Sequence, residues 1–269
     1  MTVDRIERCF SALSAKRRTA LIAYISVGDP SVEDSIACAR AALAAGVDIL
    51  ELGVPFSDPT ADGPVIAAAS YRAIHNGGSL RAALHVAEAV RKDSDAPLVF
   101  MTYYNPIFAL GDVQTVEQAV RVGADGLLVV DLPPEEGGEL RAAAKRERIA
   151  MIPLVAPTTG LEREPRVLAG ASGFIYYVSV TGVTGTGVAP LAEAGRDAAA
   201  LKARAKLPVV VGFGIRSPEN ARTVADQGVD GVVVGTEMVR AISGASDREG
   251  RIQAVSKLVR ALREGLDAR

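Results

Sequence analysis

The chain has 269 residues, 49% of them hydrophobic, a net charge of −2, two cysteines and no tryptophan. A near-neutral chain with six Phe and six Tyr lacks the basic stripe and stacking platforms of a nucleic-acid binder. Cys9 and Cys38 are too few and too scattered for a disulfide framework or a zinc site. The opening MTVDRIERCFSALSAKRR has no signal-peptide apolar stretch, and no run reaches membrane-spanning length. The expectation is a soluble, reduced, cytoplasmic protein.

The chain begins with a helical pattern, because Ile6, Cys9, Phe10 and Leu13 recur on one face. Short apolar runs then alternate with helical stretches. The runs are ALIAYISV (20–27), VDILELG (47–53), LVFMTY (98–103), GLLVVD (126–131), AMIPLV (150–155), GFIYYV (173–178), LPVVV (207–211) and GVVVG (231–235). Between them lie VEDSIACARAALAAG, SLRAALHVAEAVRKD, EEGGELRAAAKRER and SPENARTVADQG. The last opens with a cap, a first-turn proline and an anion in order.

Four junctions echo one another: AAGVDILELG, RVGADGLLVVD, AGASGFIYYV and DQGVDGVVVG. Each has a glycine suited to a helix C-terminus, a polar residue two positions later, then an apolar strand. Eight strands with little polar alternation, separated by helices, imply a parallel sheet buried on both faces. We expect a single (β/α)8 TIM-barrel domain over 1–269 with an extra N-terminal helix across its bottom. An open doubly wound sheet is the alternative.

The chemistry gathers in ELGVPFSDPTADGP (51–64). Strand alternation turns Ile49, Glu51 and Gly53 one way, and Leu50 and Leu52 the other. A carboxyl at the C-terminal end of a barrel strand stands where such folds place their chemistry. Apolar walls raise its pKa towards neutrality. The other reading pairs Glu51 with an arginine. Asp58 and Asp62 taken singly read as turn residues, but Pro55, Pro59 and Pro64 stiffen the loop and can return an aspartate to the barrel mouth. VVVGFGIRSP (209–218) and GVVVGTEMV (231–239) end the seventh and eighth strands. Gly214, Gly235 and Thr236 there suit a phosphate, or form two ordinary turns. TGVTGTGVAP (181–190) reads as a lid or as a flexible connector. His75 and His85 have no partner at metal-ligand spacing, and no dinucleotide or P-loop motif stands in a strand-to-helix setting.

GVPFSDPTADGP closely resembles the signature of the tryptophan synthase α-chain family. The likeness continues in order through SVGDP, TYYNPI, VVDLPPEE, PLVAPTT, GVTGTG and VGFGIRSPE. It implies the eightfold barrel and a retro-aldol cleavage of indole-3-glycerol phosphate, without metal or Schiff base. On that resemblance Glu51 is the general acid/base, Asp62 accepts a hydrogen bond from the indole N–H, and Tyr176 stands beside them. Tyr24 lines the indole pocket, where relatives carry phenylalanine. Thr184 meets Asp62 when the lid closes, and Gly185, Gly214, Gly235 and Thr236 surround the phosphate. Asp131 lies nearby. The partner is a β chain in an αββα complex, touched through Pro55, Asp58, Asn105 and Pro106. Pyridoxal phosphate belongs to that β chain and no cofactor to this one. Thr60 and Val180 depart from the usual leucine and arginine. A free-standing lyase, a weak barrel that mainly binds β, and a phosphosugar isomerase stay open as rivals.

Overall fold

Nine parallel strand segments arise from the eight apolar runs. They are β1 (Ala20–Ser26), β2 (Ile49–Gly53), β3 (Leu98–Thr102), β4 (Gly126–Val129), β5 (Ala150–Met151), β6 (Leu154–Val155), β7 (Ile175–Val178), β8 (Val209–Gly212) and β9 (Gly231–Val234). The computed structural model describes residues 3–178, 191–212 and 214–268. The strand order is β5-β4-β3-β2-β1-β9-β8-β7-β6. Its two ends, β5 and β6, belong to one stretch, 150–155, so the sheet closes on itself. Ile152 N–H donates to the Leu127 carbonyl on one side, and Tyr176 N–H donates to the Pro153 carbonyl on the other. One strand was expected over 150–155; Pro153 has no N–H to give a ladder and splits it. The barrel is the expected one.

Helices follow the strands: α1 (Val3–Ala15), α2 (Val32–Ala45), α3 (Pro64–His75), α4 (Leu80–Arg91), α5 (Tyr104–Leu110) and α6 (Asp112–Arg121) in the first half. The second half carries α7 (Gly138–Glu147), α8 (Gly160–Leu168), α9 (Leu191–Arg204), α10 (Pro218–Ala225), α11 (Thr236–Ser243) and α12 (Arg248–Asp267). Ser217 caps α10 as its sequence implies, and Ser31 caps α2 in the same way. Among the described residues no helix is long and apolar enough to cross a membrane.

The strands divide their side chains between two cores. Leu21, Leu50, Leu52, Phe100 and Val211 face outwards against the helices. Ile22, Ile49, Val99, Phe174 and Val210 fill the barrel. At the bottom α1 inserts Ile6 and Phe10 into that inner core. A Cβ at Gly126 or Gly173 would stand 3.5 or 3.4 Å from Ile6 Cδ1, so small strand residues make room for the plug. The Phe10 and Phe174 rings meet with centroids 5.7 Å apart.

The four sequence echoes have one structural meaning. Asp48, Asp125, Ser172 and Asp230 each precede a strand and grip the start of the preceding strand in a reciprocal clasp. Their side chains accept from the amides of Leu21, Leu98, Met151 and Val209, and their own amides donate back to the same residues' carbonyls, all at 2.8–3.0 Å. The glycines two positions earlier, Gly46, Gly123, Gly170 and Gly228, all have positive φ, which turns the chain out of its helix and into the clasp. Three clasps carry a cation: Arg263 on Asp48 at 2.9 Å, Arg91 and Arg5 on Asp125 at 2.7 and 3.0 Å, and Lys202 on Asp230 at 2.8 Å.

Candidate active site

At the C-terminal end of the barrel the inward column of β2 runs Ile49, Glu51, Gly53. Glu51 is fully buried, and neither carboxylate oxygen has a hydrogen-bond partner among the described residues. The arginine pairing open to it in the sequence is therefore not made there. Burial pushes its pKa up to about 8, because the charged form finds no compensating donor. At neutral pH Glu51 is mostly a neutral acid with a proton to give.

Two tyrosines flank it. Tyr24 is the register partner of Glu51 on β1, and its phenol lies over Gly53, where an added Cβ would come within 2.2 Å of the hydroxyl. Tyr176 of β7 lies over Gly212 of β8 in the same manner, 2.1 Å from an added Cβ. Burial first, then negative charge from Glu51 and Asp62, raises the Tyr176 hydroxyl far above its ordinary range. Burial and then Asp62 raise that of Tyr24. Both phenols thus lie within the electrostatic reach of both carboxylates.

Asp62 arrives from the loop after β2. Val54 N–H donates to the Met101 carbonyl at 2.9 Å, Phe56 N–H to Ser70 Oγ at 3.0 Å, and Asp62 N–H to the Pro59 carbonyl at 3.1 Å. The loop then enters α3 at Pro64, a residue suited to a first turn. Burial moves the Asp62 pKa up to about 6, against the lowering effect of a hydrogen bond from Tyr103. Asp62 and Glu51 thus differ in kind: one is ionised at neutrality, the other protonated.

An apolar wall stands beside the pair. Tyr24 packs with Ile66 and Ala69 of α3 and Val239 of α11. The same wall reaches the glycine turns: a Cβ at Gly235 would lie 3.6 Å from Ile66 Cδ1 and 3.7 Å from Tyr24 Cβ. Gly235 immediately precedes α11, whose first residue is Thr236, while Gly214 follows the adjacent β8 with φ of 82°. The amides left free at the start of a helix such as α11 favour a negatively charged group. Glu51, the apolar wall and the Gly235 turn thus meet around Tyr24. Thr184 and Gly185, and with them Val180, lie outside the described residues. Among the described residues no group of three or more His, Cys, Asp or Glu is arranged to hold a metal ion.

On the outer rim Asp58 and Asn105 are exposed and Pro106 is half-buried. Asn105 and Pro106 stand in α5, since proline is tolerated in a helix's first turn where its missing N–H has no partner. Pro55 is buried and shapes the loop from inside. Phe108, on the same short helix, is 70% exposed. The sequence reading passed over it, along with Tyr103 and Ile66. Tyr103 ends the apolar run LVFMTY, and that was its one local signal; Ile66 had none, being one apolar residue in a helix of many.

A family model described as tryptophan synthase alpha chain matches residues 10–267. The structure of tryptophan synthase subunit alpha from Legionella pneumophila str. Paris superposes with a TM-score of 0.90 at 35% identity, covering 98% of this chain and 99% of that one. A protein from Aquifex aeolicus VF5 gives 0.87 at 38% identity, covering 97% and 98%. The aminoacrylate-bound form of tryptophan synthase from M. tuberculosis gives 0.87 at 33% identity, covering 97% and 99%.

Proposed function

The chain belongs to the family of tryptophan synthase α chains, and from that footing we propose how its residues cleave indole-3-glycerol phosphate to indole and glyceraldehyde 3-phosphate. The whole chain, 1–269, acts as one barrel domain and as a carbon–carbon lyase. The neutral Glu51 acid gives its proton to C3 of the indole. Aromaticity is lost and positive charge appears on the ring nitrogen, where the Asp62 carboxylate accepts the N–H and steadies it. Glu51, now a carboxylate, takes the proton from the hydroxyl on the adjacent side-chain carbon. The bond from that carbon to C3 breaks, its electron pair returns to the ring, an aldehyde forms, and Glu51 is again protonated. The proton count closes within one residue.

The other groups hold the substrate. Tyr24, Ile66 and Val239 offer the indole an apolar face, and Tyr176 bounds the cavity across from Tyr24. Gly214, Gly235 and Thr236 receive the phosphate with backbone amides and a hydroxyl. No lysine ends a strand, so the donor set suits proton transfer and offers no amine for a Schiff base. The observation that carries this reading is a buried Glu51 acid with no hydrogen-bond partner among the described residues, flanked by two phenols, Tyr24 and Tyr176, that both feel the charge of Asp62.

The partner is a β chain in an αββα complex, docked on Asp58, Asn105, Pro106 and the exposed Phe108. It holds the pyridoxal phosphate and consumes the indole, and both work in the cytoplasm. Indole release by the purified chain, with and without β chain, tests the proposal. Glu51→Gln lowers kcat by about 10²–10⁴-fold while substrate binding persists; unchanged turnover would refute the acid/base role. Unchanged mass and activity on adding β chain would remove the partner.

A further inference from the structure

Tyr103 ends at the rim of the barrel beside β3, and none of the steps above employs it. It is only 4% exposed, and its phenol is fixed on several sides. The ring lies against Phe56 with centroids 5.0 Å apart at 33°. The Ala61 amide donates to its oxygen at 2.9 Å. With that lone pair occupied, the O–H is directed at the next acceptor, and it donates to Asp62 Oδ2 at 3.2 Å. The backbone is held as firmly. Thr102 Oγ1 donates to the Tyr103 carbonyl at 2.9 Å, and the following amide, Tyr104 N–H, donates to Asp131 Oδ1 at 2.7 Å. One side chain therefore ties the Asp62 loop to the ends of β3 and β4.

Asp62 has little else to hold it. Among the described residues Tyr103 is the hydrogen-bond partner of its carboxylate, and no lysine or arginine offsets its charge. The titratable groups facing the same space are Tyr24 from β1, Glu51 from β2, Tyr103 just after β3 and Tyr176 from β7, with the Asp131 charge reaching Tyr103 from just after β4. All are neutral or negative. A carboxylate in such company tends to take up a proton and to turn freely about its side-chain bond.

We propose that Tyr103 is a positioning residue of this site: its hydroxyl, aimed by the Ala61 amide, keeps the Asp62 carboxylate ionised and turned to meet the ring nitrogen of the substrate. The inference rests on reading the site as an indole-3-glycerol phosphate lyase. It adds a residue that touches no reacting atom and acts only through Asp62. It also explains why TYYNPI carries an aromatic hydroxyl at the strand's end, where packing against Phe56 alone would be met by phenylalanine.

Tyr103→Phe tests it, since the ring remains on Phe56 and the exposed Ala61 can turn its amide to water. Two readouts separate positioning from packing. The Asp62 carboxyl, followed by carbon NMR in labelled protein without substrate, titrates about one unit higher in the variant. The acid limb of kcat/KM moves up with it, so activity falls about fivefold at pH 6 and little at pH 8, chiefly through kcat. Adding Tyr103→Phe to Asp62→Asn changes kcat/KM less than twofold, because the residue it serves is gone. An equal loss at every pH, an unmoved Asp62 titration in folded protein, or full additivity with Asp62→Asn would each overturn the inference. The lyase reading itself fails separately, on undiminished turnover by Glu51→Gln, and the NMR shift would still report the Tyr103–Asp62 bond.

Discussion

Tyr24 and Glu51 stand opposite each other in the β1–β2 register, and the phenol reaches past its partner to lie over Gly53. The acid is thereby roofed by an aromatic ring while its oxygens receive no hydrogen bond among the described residues. A carboxyl so enclosed keeps its proton near neutrality, and the anion it works with, Asp62, loses its own two units earlier on the pH scale, about 6 against about 8.

That ordering sets the pH dependence of the reaction. Asp62 must be ionised and Glu51 protonated for the first proton transfer. The value of kcat/KM should therefore peak between the two, falling about tenfold per unit below about 6 and above about 8. Asp62→Asn should lower the plateau by about 10²–10³-fold and abolish the acid limb. A steady-state profile from pH 5 to 9 decides the matter; an acid limb that survives in Asp62→Asn belongs to another group.

Glu51 also makes stability depend on pH. An unfolded chain ionises it near the ordinary 4.5, the folded one near 8. Below the lower value both states hold the proton and the group contributes no slope. Between the two, the unfolded chain sheds a proton that the fold retains, so the native state loses stability as pH rises, and the loss levels off above the upper value. Glu51→Gln removes this loss. Thermal melts should show wild type and variant with a pH-independent offset under acid conditions and Tm values that diverge in the variant's favour from about 5 to 8. A constant offset across the range would count against a buried, protonated Glu51.

Gly53 is required by the phenol above it. Gly53→Ala places a methyl inside the Tyr24 ring, 2.2–2.4 Å from its atoms, and should destabilise the fold by about 1–3 kcal/mol. In a Tyr24→Ala background the same change has room and should cost little, although Tyr24→Ala itself costs about 3–5 kcal/mol. Urea unfolding of the four proteins of this cycle measures the coupling; strict additivity would mean that the ring is not the obstacle.

The bottom clasps should differ in strength according to their charge. Asp125→Ala leaves Arg5 and Arg91 without their shared carboxylate and the Leu98 amide without its acceptor, a loss of about 3–5 kcal/mol. Ser172→Ala removes one neutral bond to Met151, about 1 kcal/mol. Denaturant midpoints rank the two, and equal effects would show that the cations add nothing.

The barrel was legible because its signals are local. Apolar runs, the Ser217 cap and the recurring glycine-then-polar junction each need only a few neighbouring residues, and all appear where expected. Strand limits were less so: Pro153 split one run by removing an N–H, and Tyr103 proved to lie just beyond β3. The site was legible through Glu51 and Asp62, whose positions in strand and stiff loop the quoted stretch displays. Tyr103 was not, because its importance lies in a bond across 41 positions to Asp62 that no spacing announces. Pro55 shows the converse: a rim proline by sequence, it is buried, because the loop folds back over α3.

The four clasps at the foot of the barrel each join two neighbouring strands. The molecule is thus made of four staves, and this hooping lies at the opposite rim from the chemistry. New chain ends opened between staves, with the old ones joined, would keep the two halves of every hoop close in sequence, whereas ends opened within a stave would put the halves of one hoop at opposite ends of the chain. Such a cask can have its lid refashioned many times without loosening its base.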